Sequence, residues 1–324
     1  MHIYDIAVIG AGPVGMFATF YAGLRSADVV LLEGTAQVGG QPAALYPQKK
    51  IYDVAGMPEI SGQELVATLA KQMARFSPEV RLSTKVTAIN EQDDYLELTT
   101  AGASIYARSV VLATGAGAFA PRPLAVPYDH NLDGDRVLYT ISDLSKLAGA
   151  RVAIAGGGDS AIDWALALEP IAGQVDLIHR RNQFRGLESS VNQLTHSHVH
   201  LHTPNLIASV TADDQGLELD LRPVRGEEHD HLQADYLLVS YGFASDNKQL
   251  RAWNIDLTHN QVSVDRQLAT SRAHVYAIGD AVTYPGKLKL IASGFGEAPT
   301  AIDSIMTDLY PDRRAPLHSS SMIH

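Results

Sequence analysis

Apolar residues along the chain fall into short continuous runs separated by helical-period stretches. Ile6-Ala7-Val8-Ile9 and Val29-Val30-Leu31-Leu32 are unbroken enough for strands buried on both faces, with an apolar helical stretch between them that runs through Leu24. The same order returns later. Arg151-Val152-Ala153-Ile154-Ala155 predicts a strand, a helix follows through Leu168, and Val175-Asp176-Leu177-Ile178 predicts the next strand. A third matched pair is Val110-Val111-Leu112-Ala113-Thr114-Gly115 and Leu237-Leu238-Val239-Ser240-Tyr241-Gly242, each a buried strand ending in a glycine turn. Residues 62–76 carry an amphipathic helical pattern and residues 81–89 a strand, while the alternation over 198–221 predicts a β-meander. Val275-Tyr276-Ala277-Ile278 is a further buried strand near the end. With the glycine-rich turns Gly10-Ala11-Gly12-Pro13-Val14-Gly15 and Gly156-Gly157-Gly158-Asp159-Ser160-Ala161 following the first strand of each copy, the pattern predicts an α/β fold of two Rossmann-like dinucleotide-binding domains, the second inserted in the first. The expected segments are 1–118, 119–242 and 243–324, with crossings near Phe119 and Phe243.

The turn after each first strand supplies chemistry. Gly10-Ala11-Gly12-Pro13-Val14-Gly15 has G-x-G-x-x-G spacing between strand and helix. Gly10 permits the tight turn, Gly12 lets backbone approach a pyrophosphate, and Gly15 lets helix and strand pack closely. The helix N-terminus beyond offers free N–H groups to phosphate. Glu33 closes the second strand, where a carboxylate accepts hydrogen bonds from ribose hydroxyls. The second copy, Gly156-Gly157-Gly158-Asp159-Ser160-Ala161, has the same spacing with Ala last, so Gly156, Gly158 and Ser160 take the corresponding places. Where the first copy has Glu33, the second has His179, followed by Arg180 and Arg181. A ribose 2′-phosphate wants guanidinium groups rather than a carboxylate. The first site is therefore expected to take a dinucleotide with free ribose hydroxyls and the second to take NADP.

Composition narrows the chemistry further. The 324 residues contain no cysteine. That excludes disulfides, thiolate zinc sites, Cys-ligated iron–sulfur clusters and a C-x-x-C redox pair, so redox chemistry has to come from a bound cofactor. The formal charge of −11 argues against a nucleic-acid binder. No apolar run reaches the ~18 residues of a membrane span. The N-terminus opens directly as a strand rather than as a basic, then apolar, leader, and a cytoplasmic protein is expected.

Gly10-Ala11-Gly12-Pro13 with Glu33, Val38-Gly39-Gly40-Gln41, Ala113-Thr114-Gly115, the second glycine motif, His179-Arg180-Arg181 with Phe184-Arg185, and Ile278-Gly279-Asp280-Ala281 occur in the order seen in thioredoxin reductases. Those enzymes carry C-x-x-C just before the second glycine motif. Here the stretch reads Leu138-Tyr139-Thr140-Ile141-Ser142-Asp143-Leu144. Leu45-Tyr46-Pro47, Ile51-Tyr52-Asp53-Val54-Ala55-Gly56, Gly294-Phe295-Gly296-Glu297-Ala298-Pro299-Thr300 and the tail Leu317-His318-Ser319-Ser320-Ser321 resemble the thioredoxin-reductase-like class of ferredoxin–NADP reductases. The resemblance covers the whole chain. It implies FAD in the first domain and NADP(H) in the inserted one, with hydride passing from NADPH to FAD and electrons on to ferredoxin or flavodoxin.

The resemblance also implies roles. Glu33 would hold the adenosine ribose of FAD, Val86 would meet the adenine through its backbone, and Asp280 would hold the ribityl chain. Gln41, Tyr46 and Phe119 would lie near the flavin, with Tyr46 stacked on the ring. His318, with Ser320 beside it, would cover the other face from a C-terminal tail that serves the partner subunit, which implies a homodimer. Tyr46 and His318 are thus the residues expected at the reacting ring, while Arg180, Arg181 and Arg185 would hold the 2′-phosphate. Asp280 is expected to cap a helix as well.

A small acidic carrier needs a basic docking face, and Lys49, Lys50, Lys287, Lys289, Arg313 and Arg314 are the candidates. His196, His198, His200 and His202 alternate, which places them on one strand face, but no carboxylate or cysteine completes a ligand set. A solvated face, not a metal site, is expected. Residues 226–231 are expected to form a polar hairpin turn. Two other functions remain open: an NADPH-dependent reductase of free flavin, quinone or ferric chelates, and a non-catalytic FAD/NADP-binding redox sensor.

Overall fold

The computed structural model describes residues 1–246 and 248–313, with backbone alone at 118, 119, 244–246, 248 and 249. The chain divides into two compact units. Unit 1 comprises residues 1–44, 51–118 and the described residues from 245 on; unit 2 comprises 45–50 and 119–244. The strands Ala118–Pro121 and Phe243–Asp246, where the chain passes between them, pair in a two-stranded ribbon.

The sheet of unit 1 runs Glu79–Arg81, Val29–Leu32, Ile3–Ile9, Ile105–Leu112, then Leu96–Thr99 and Ala88–Glu91. The long strand Ile105–Leu112 changes partner along one edge. Residues 105–107 pair antiparallel with 96–98, and residues 110–112 pair parallel with Val275–Ala277. Ile6, Val8, Val30 and Leu31 are fully buried, as strands covered on both faces require. The helix Pro13–Leu24 starts on a proline, whose missing N–H costs nothing in the first turn. The helix Ile291–Leu309 packs against it, bringing the Phe17 and Phe295 rings to 5.1 Å and pairing Arg25 with Asp303.

The amphipathic stretch 62–76 forms the helix Gly62–Met73 and a 3-10 turn, Ala74–Phe76. Leu65, Leu69 and Met73, spaced by four, are its buried stripe. Ser61 and Glu64 close its N-terminus with a reciprocal capping box. The strand expected over 81–89 is instead two. Glu79–Arg81 pairs with Val30–Leu32, the backbone then turns through Ser83 (φ 50°), and Ala88–Glu91 joins the antiparallel edge. Hydrogen bonds from Ser83 N to Thr35 O and from Thr84 N to Glu33 O hold that turn.

Unit 2 has a five-stranded parallel sheet ordered Val137–Leu138, Tyr236–Val239, Arg151–Ala155, Gln174–Ile178, His200–His202. Alternation along Arg151–Ala155 divides the core: Val152 and Ile154 enter one apolar cluster, Ala153 and Ala155 the other. The first cluster lies against the helix Asp159–Leu168. The second lies against an antiparallel sheet, Asn205–Asp213, Gly216–Pro223 and Asp230–Ala234. The expected meander is therefore present but begins at 205 rather than 198, because residues 200–202 are taken into the parallel sheet. Residues 224–229 connect its last two strands. The segment Leu45–Lys50 packs with this unit. The ring of Tyr46 lies against its core, Gln48 Oε1 accepts the Leu144 N–H at 2.8 Å, and Lys49 pairs with Asp163. Among the described residues no helix is long and apolar enough to cross a membrane.

Replacing Ser61 with Ala removes one half of the capping box and is expected to destabilise unit 1 by about 1 kcal/mol. Urea unfolding of the variant against wild type checks this.

Candidate functional site

Unit 1 carries the first glycine cradle. Gly10 stands at φ +107°, and a Cβ there would fall on the Ala113 carbonyl. A Cβ at Gly15 would fall on the carbonyl oxygen of Gly10. These two glycines permit backbone contact. Gly12 differs, since a Cβ there would find only the Gly40 Cα, at 4.0 Å. Gly12 is also the N-cap of Pro13–Leu24 with no side-chain cap, so the first N–H groups of the helix face outward unblocked. Gly39 N donates to Ala11 O at 2.8 Å, which seats the short helix Gly40–Ala44, with Gln41 in its first turn, against the same loop.

Glu33 closes this cradle. Its Oε2 accepts the Ala11 N–H at 2.8 Å, and Oε1 accepts Thr35 N–H and Oγ1–H at 2.9 and 3.0 Å. Thr114 Oγ1, next to Ala113 in the loop that Gly10 touches, is buried with no hydrogen-bond partner among the described residues. A buried orphan hydroxyl, an uncapped helix start and a fixed carboxylate at the strand end are what a bound dinucleotide would satisfy. The residues present fit FAD.

The side chain of Val86 is buried in the unit 1 core. Asp280 sits within the short helical turn Gly279–Ala281, half-buried, and burial pushes its carboxyl up. The capping expected of it is not found: that turn is N-capped by Ile278 with no side-chain hydrogen bond, and Leu290 stands at the start of Ile291–Leu309. The Phe119 side chain, His318, Ser320 and Arg314 lie outside the described residues.

Unit 2 repeats the cradle. A Cβ at Gly156 would lie 2.6 Å from Ser240 O, whereas one at Gly158 would meet nothing within 4 Å. Gly158 caps Asp159–Leu168 without a side-chain bond, and Ser160 is exposed in the first turn. Beyond the strand Gln174–Ile178, the loop with Arg180, Arg181 and Arg185 is tied back twice. Arg185 N donates to Gly157 O at 2.7 Å, and Leu187 N donates to Asp159 Oδ1 at 3.0 Å. All three arginines are exposed. The residues fit the 2′-phosphate of NADP(H).

Sequence reasoning used His179 only as a position. The structure puts its ring under Gly157, where any Cβ would strike it, and against Phe184 with centroids 5.4 Å apart. Burial holds this imidazole below its ordinary value. A backbone hydrogen bond with Gln183 opposes that effect, and the three arginine charges add to it. A ring kept neutral beside three cations leaves their charge for a ligand. Phe184 five residues on was the available signal. Asp159, which anchors the arginine loop, had none beyond its place at a helix start.

Two groupings differ from expectation. Lys287 is not a docking residue: its side chain is 4% exposed and paired with Glu297. Lys49 is largely covered by its pairing with Asp163, and Arg313 lies over the Tyr310 ring at 3.6 Å, while Lys289 is exposed. Nor do the alternating histidines share one strand face. His196 ends the helix Glu188–Thr195, and His198 pairs with Glu169. Only His200 and His202 enter the strand, and both converge on Asp176, at 3.4 and 2.8 Å. Asp176 is buried and also accepts from Gln174 Nε2 at 2.8 Å. The long-range carboxylate that the alternation alone could not reveal lies on the neighbouring strand. Among the described residues no group of three or more His, Asp or Glu could hold a metal ion.

Two glycine cradles on two Rossmann sheets, one ending in a carboxylate and one in arginines, define a two-dinucleotide oxidoreductase. The chain belongs to the pyridine nucleotide-disulphide oxidoreductase family, whose model matches residues 4–304. It is 53% identical over 324 residues to a protein of Lacticaseibacillus paracasei named ferredoxin–NADP reductase, covering 100% of this chain and 99% of that one. A protein of the same name from Geobacillus thermodenitrificans is 45% identical, covering 99% and 98%. Among solved structures, thioredoxin reductase of T. acidophilum matches with a TM-score of 0.84 at 21% identity over 95% of this chain and 99% of that one. That of Lactococcus lactis matches with a TM-score of 0.80 at 23% identity over 94% and 98%. These two likenesses concern the fold.

Because Gly158 has open space around it, Gly158→Ala should leave stability within about 0.5 kcal/mol of wild type. Its effect is expected on NADPH binding, read by titration calorimetry. A second expectation concerns Asp176. Burial pushes its carboxyl up, but hydrogen bonds from His202 and Gln174 and the charges of His202 and His200 outweigh this and hold it below the usual range. Its folded pKa is thus depressed, so it contributes stability above the unfolded value of about 4. That contribution is lost as pH falls through the folded value. Asp176→Asn should cost about 2 kcal/mol at neutral pH, and less on acidification, in urea unfolding followed across pH.

Proposed function

We propose that the chain is a ferredoxin–NADP reductase of the thioredoxin-reductase fold, working in the cytoplasm as a homodimer. The observation that carries this is full-length identity near 50% to proteins of that name, joined to an arginine cluster at the second cradle and to a chain without cysteine. FAD, when bound, supplies the exchange between a two-electron hydride donor and a one-electron carrier.

The residues divide the remaining work. Gly12 and the uncapped helix start receive the FAD pyrophosphate in unit 1, Glu33 receives the ribose hydroxyls, and Val86 meets the adenine through its backbone. Gln41, Phe119 and Asp280 orient the flavin end. Tyr46 would meet the flavin ring, and His318 and Ser320, which lie outside the described residues, would serve the partner subunit's flavin. In unit 2, Gly156, Gly158 and Ser160 hold the NADPH pyrophosphate, and Arg180, Arg181 and Arg185 hold the 2′-phosphate in charge-assisted hydrogen bonds. Holding both partners in fixed orientation is the protein's main contribution to hydride transfer. The stretch 138–144 offers no thiol relay, so electrons leave directly to an external carrier, ferredoxin or flavodoxin.

Reduction of cytochrome c by NADPH that depends on added ferredoxin tests the reading. Activity independent of ferredoxin would point to a reductase of free flavin, quinone or ferric chelates. A flavin that NADPH does not bleach in stopped flow would point to a sensor. Replacing Arg180 and Arg181 with Ala should lower the preference for NADPH over NADH by about 3 kcal/mol, measured as the ratio of kcat/KM values. An unchanged ratio would remove these arginines from the 2′-phosphate site.

A further inference from the structure

The turn that presents Asp280 rests on a buried ion pair. Gly279 opens this turn at φ +73°, and its N–H donates to Glu297 Oε2 at 2.7 Å. Oε1 of the same carboxylate accepts Tyr284 O–H at 2.7 Å and the Lys287 ammonium. The side chains of Glu297 and Lys287 are 5% and 4% exposed. Local sequence explains the delivery of the lysine. In Tyr284-Pro285-Gly286-Lys287, proline and a glycine at φ +83° occupy the middle positions, and Lys287 N donates to Tyr284 O at 3.0 Å. Such a turn reverses the chain and folds Lys287 back toward the helix Ile291–Leu309, which carries Glu297. From the other side, Gln261 Nε2 donates to the carbonyls of Asp280 and Val282 at 3.2 and 3.1 Å.

The two charges also act on Asp280. Burial pushes its carboxyl up, the Lys287 and Lys289 charges pull it down, and Glu297 pushes it up again. Burying an ion pair is costly, and apolar residues of similar size hold a helix on a sheet as well or better. What the pair provides that apolar packing does not is a fixed turn and a balanced field beside Asp280.

We propose that Glu297 and Lys287 are positioning residues of the flavin site: Glu297 fixes the Gly279–Asp280 turn, and the balance of the two charges sets the midpoint potential of the bound FAD. The proposal rests on the reading of unit 1 as the FAD-holding half of a reductase. Two-electron reduction leaves negative charge on the flavin at neutral pH. An unbalanced Lys287 therefore favours the reduced form, and an unbalanced Glu297 opposes it.

The test is redox titration of the FAD-loaded full-length protein with FAD in excess, together with FAD affinity by fluorescence. Glu297→Gln keeps an acceptor for Gly279 and removes the charge, so the midpoint potential should shift upward. Lys287→Met should shift it downward, and the double variant should return toward wild type. Tyr284→Phe, which removes only a neutral partner, should weaken FAD binding several-fold without moving the potential. A purely structural pair would lower FAD affinity in both single variants while leaving the potential unmoved or shifting it in one direction, and either result overturns the proposal. Should Glu297→Gln fail to fold, Lys287→Met against the double variant still decides, since equal potentials refute it. A wild-type protein that binds FAD but does not reduce ferredoxin would defeat the functional reading while leaving these potentials interpretable.

Discussion

The structure depends on backbone meeting backbone where no Cβ stands. In unit 1 the carbonyl of Gly10 occupies the space a side chain at position 15 would need, and the Ala113 carbonyl occupies the space of one at position 10. In unit 2 the Ser240 carbonyl and the Ala161 methyl do the same at Gly156. This close approach draws each helix start down onto the end of its strand. It leaves the first N–H groups of the helix uncapped by any side chain. A helix start left that way is an electrostatic site for an anion. The middle glycine of each cradle, Gly12 or Gly158, leaves that site open, and among the described residues a Cβ there would meet no close neighbour.

One topology then carries two opposite solutions at the end of the second strand. Glu33 is pinned by the Ala11 N–H and by Thr35, so its carboxylate is fixed before any ligand arrives. His179 takes the corresponding place in unit 2 as a half-buried ring under Gly157. Its strand lies beside His200–His202, so the buried Asp176 within it is answered by two imidazoles from the neighbouring strand. The arginines that follow are free to point outward because Arg185 N and Leu187 N, rather than their side chains, hold the loop. Backbone anchoring leaves the guanidinium groups available to a phosphate.

What was legible in the sequence was local. The strands at 6–9, 29–32 and 151–155, the amphipathic helix within 62–76 and the spacing of the two glycine motifs each depend on residues a few positions apart. What was not legible depended on partners far along the chain. Lys287 reads as a surface cation until Glu297 is brought against it. The histidines at 196–202 read as one face until the helix ends at Thr195 and Asp176 is found across the sheet. Residues 82–87 read as strand, yet the chain there leaves Val29–Leu32 for the antiparallel edge and must turn. In each case tertiary pairing overrode a local pattern.

Charge shows the same division. The chain is strongly acidic overall, so a basic residue is seldom far from a carboxylate, and the lysines at 49 and 287 are taken up inside the fold. The arginines at 180, 181 and 185 are exposed in a loop that backbone groups hold, Arg185 N on Gly157 O and Leu187 N on Asp159 Oδ1. Net charge therefore tells little about where a cation is available. Availability is set by where the fold brings a carboxylate onto a cation: Asp163 covers Lys49 and Glu297 covers Lys287, while the loop of the second cradle leaves its three arginines exposed.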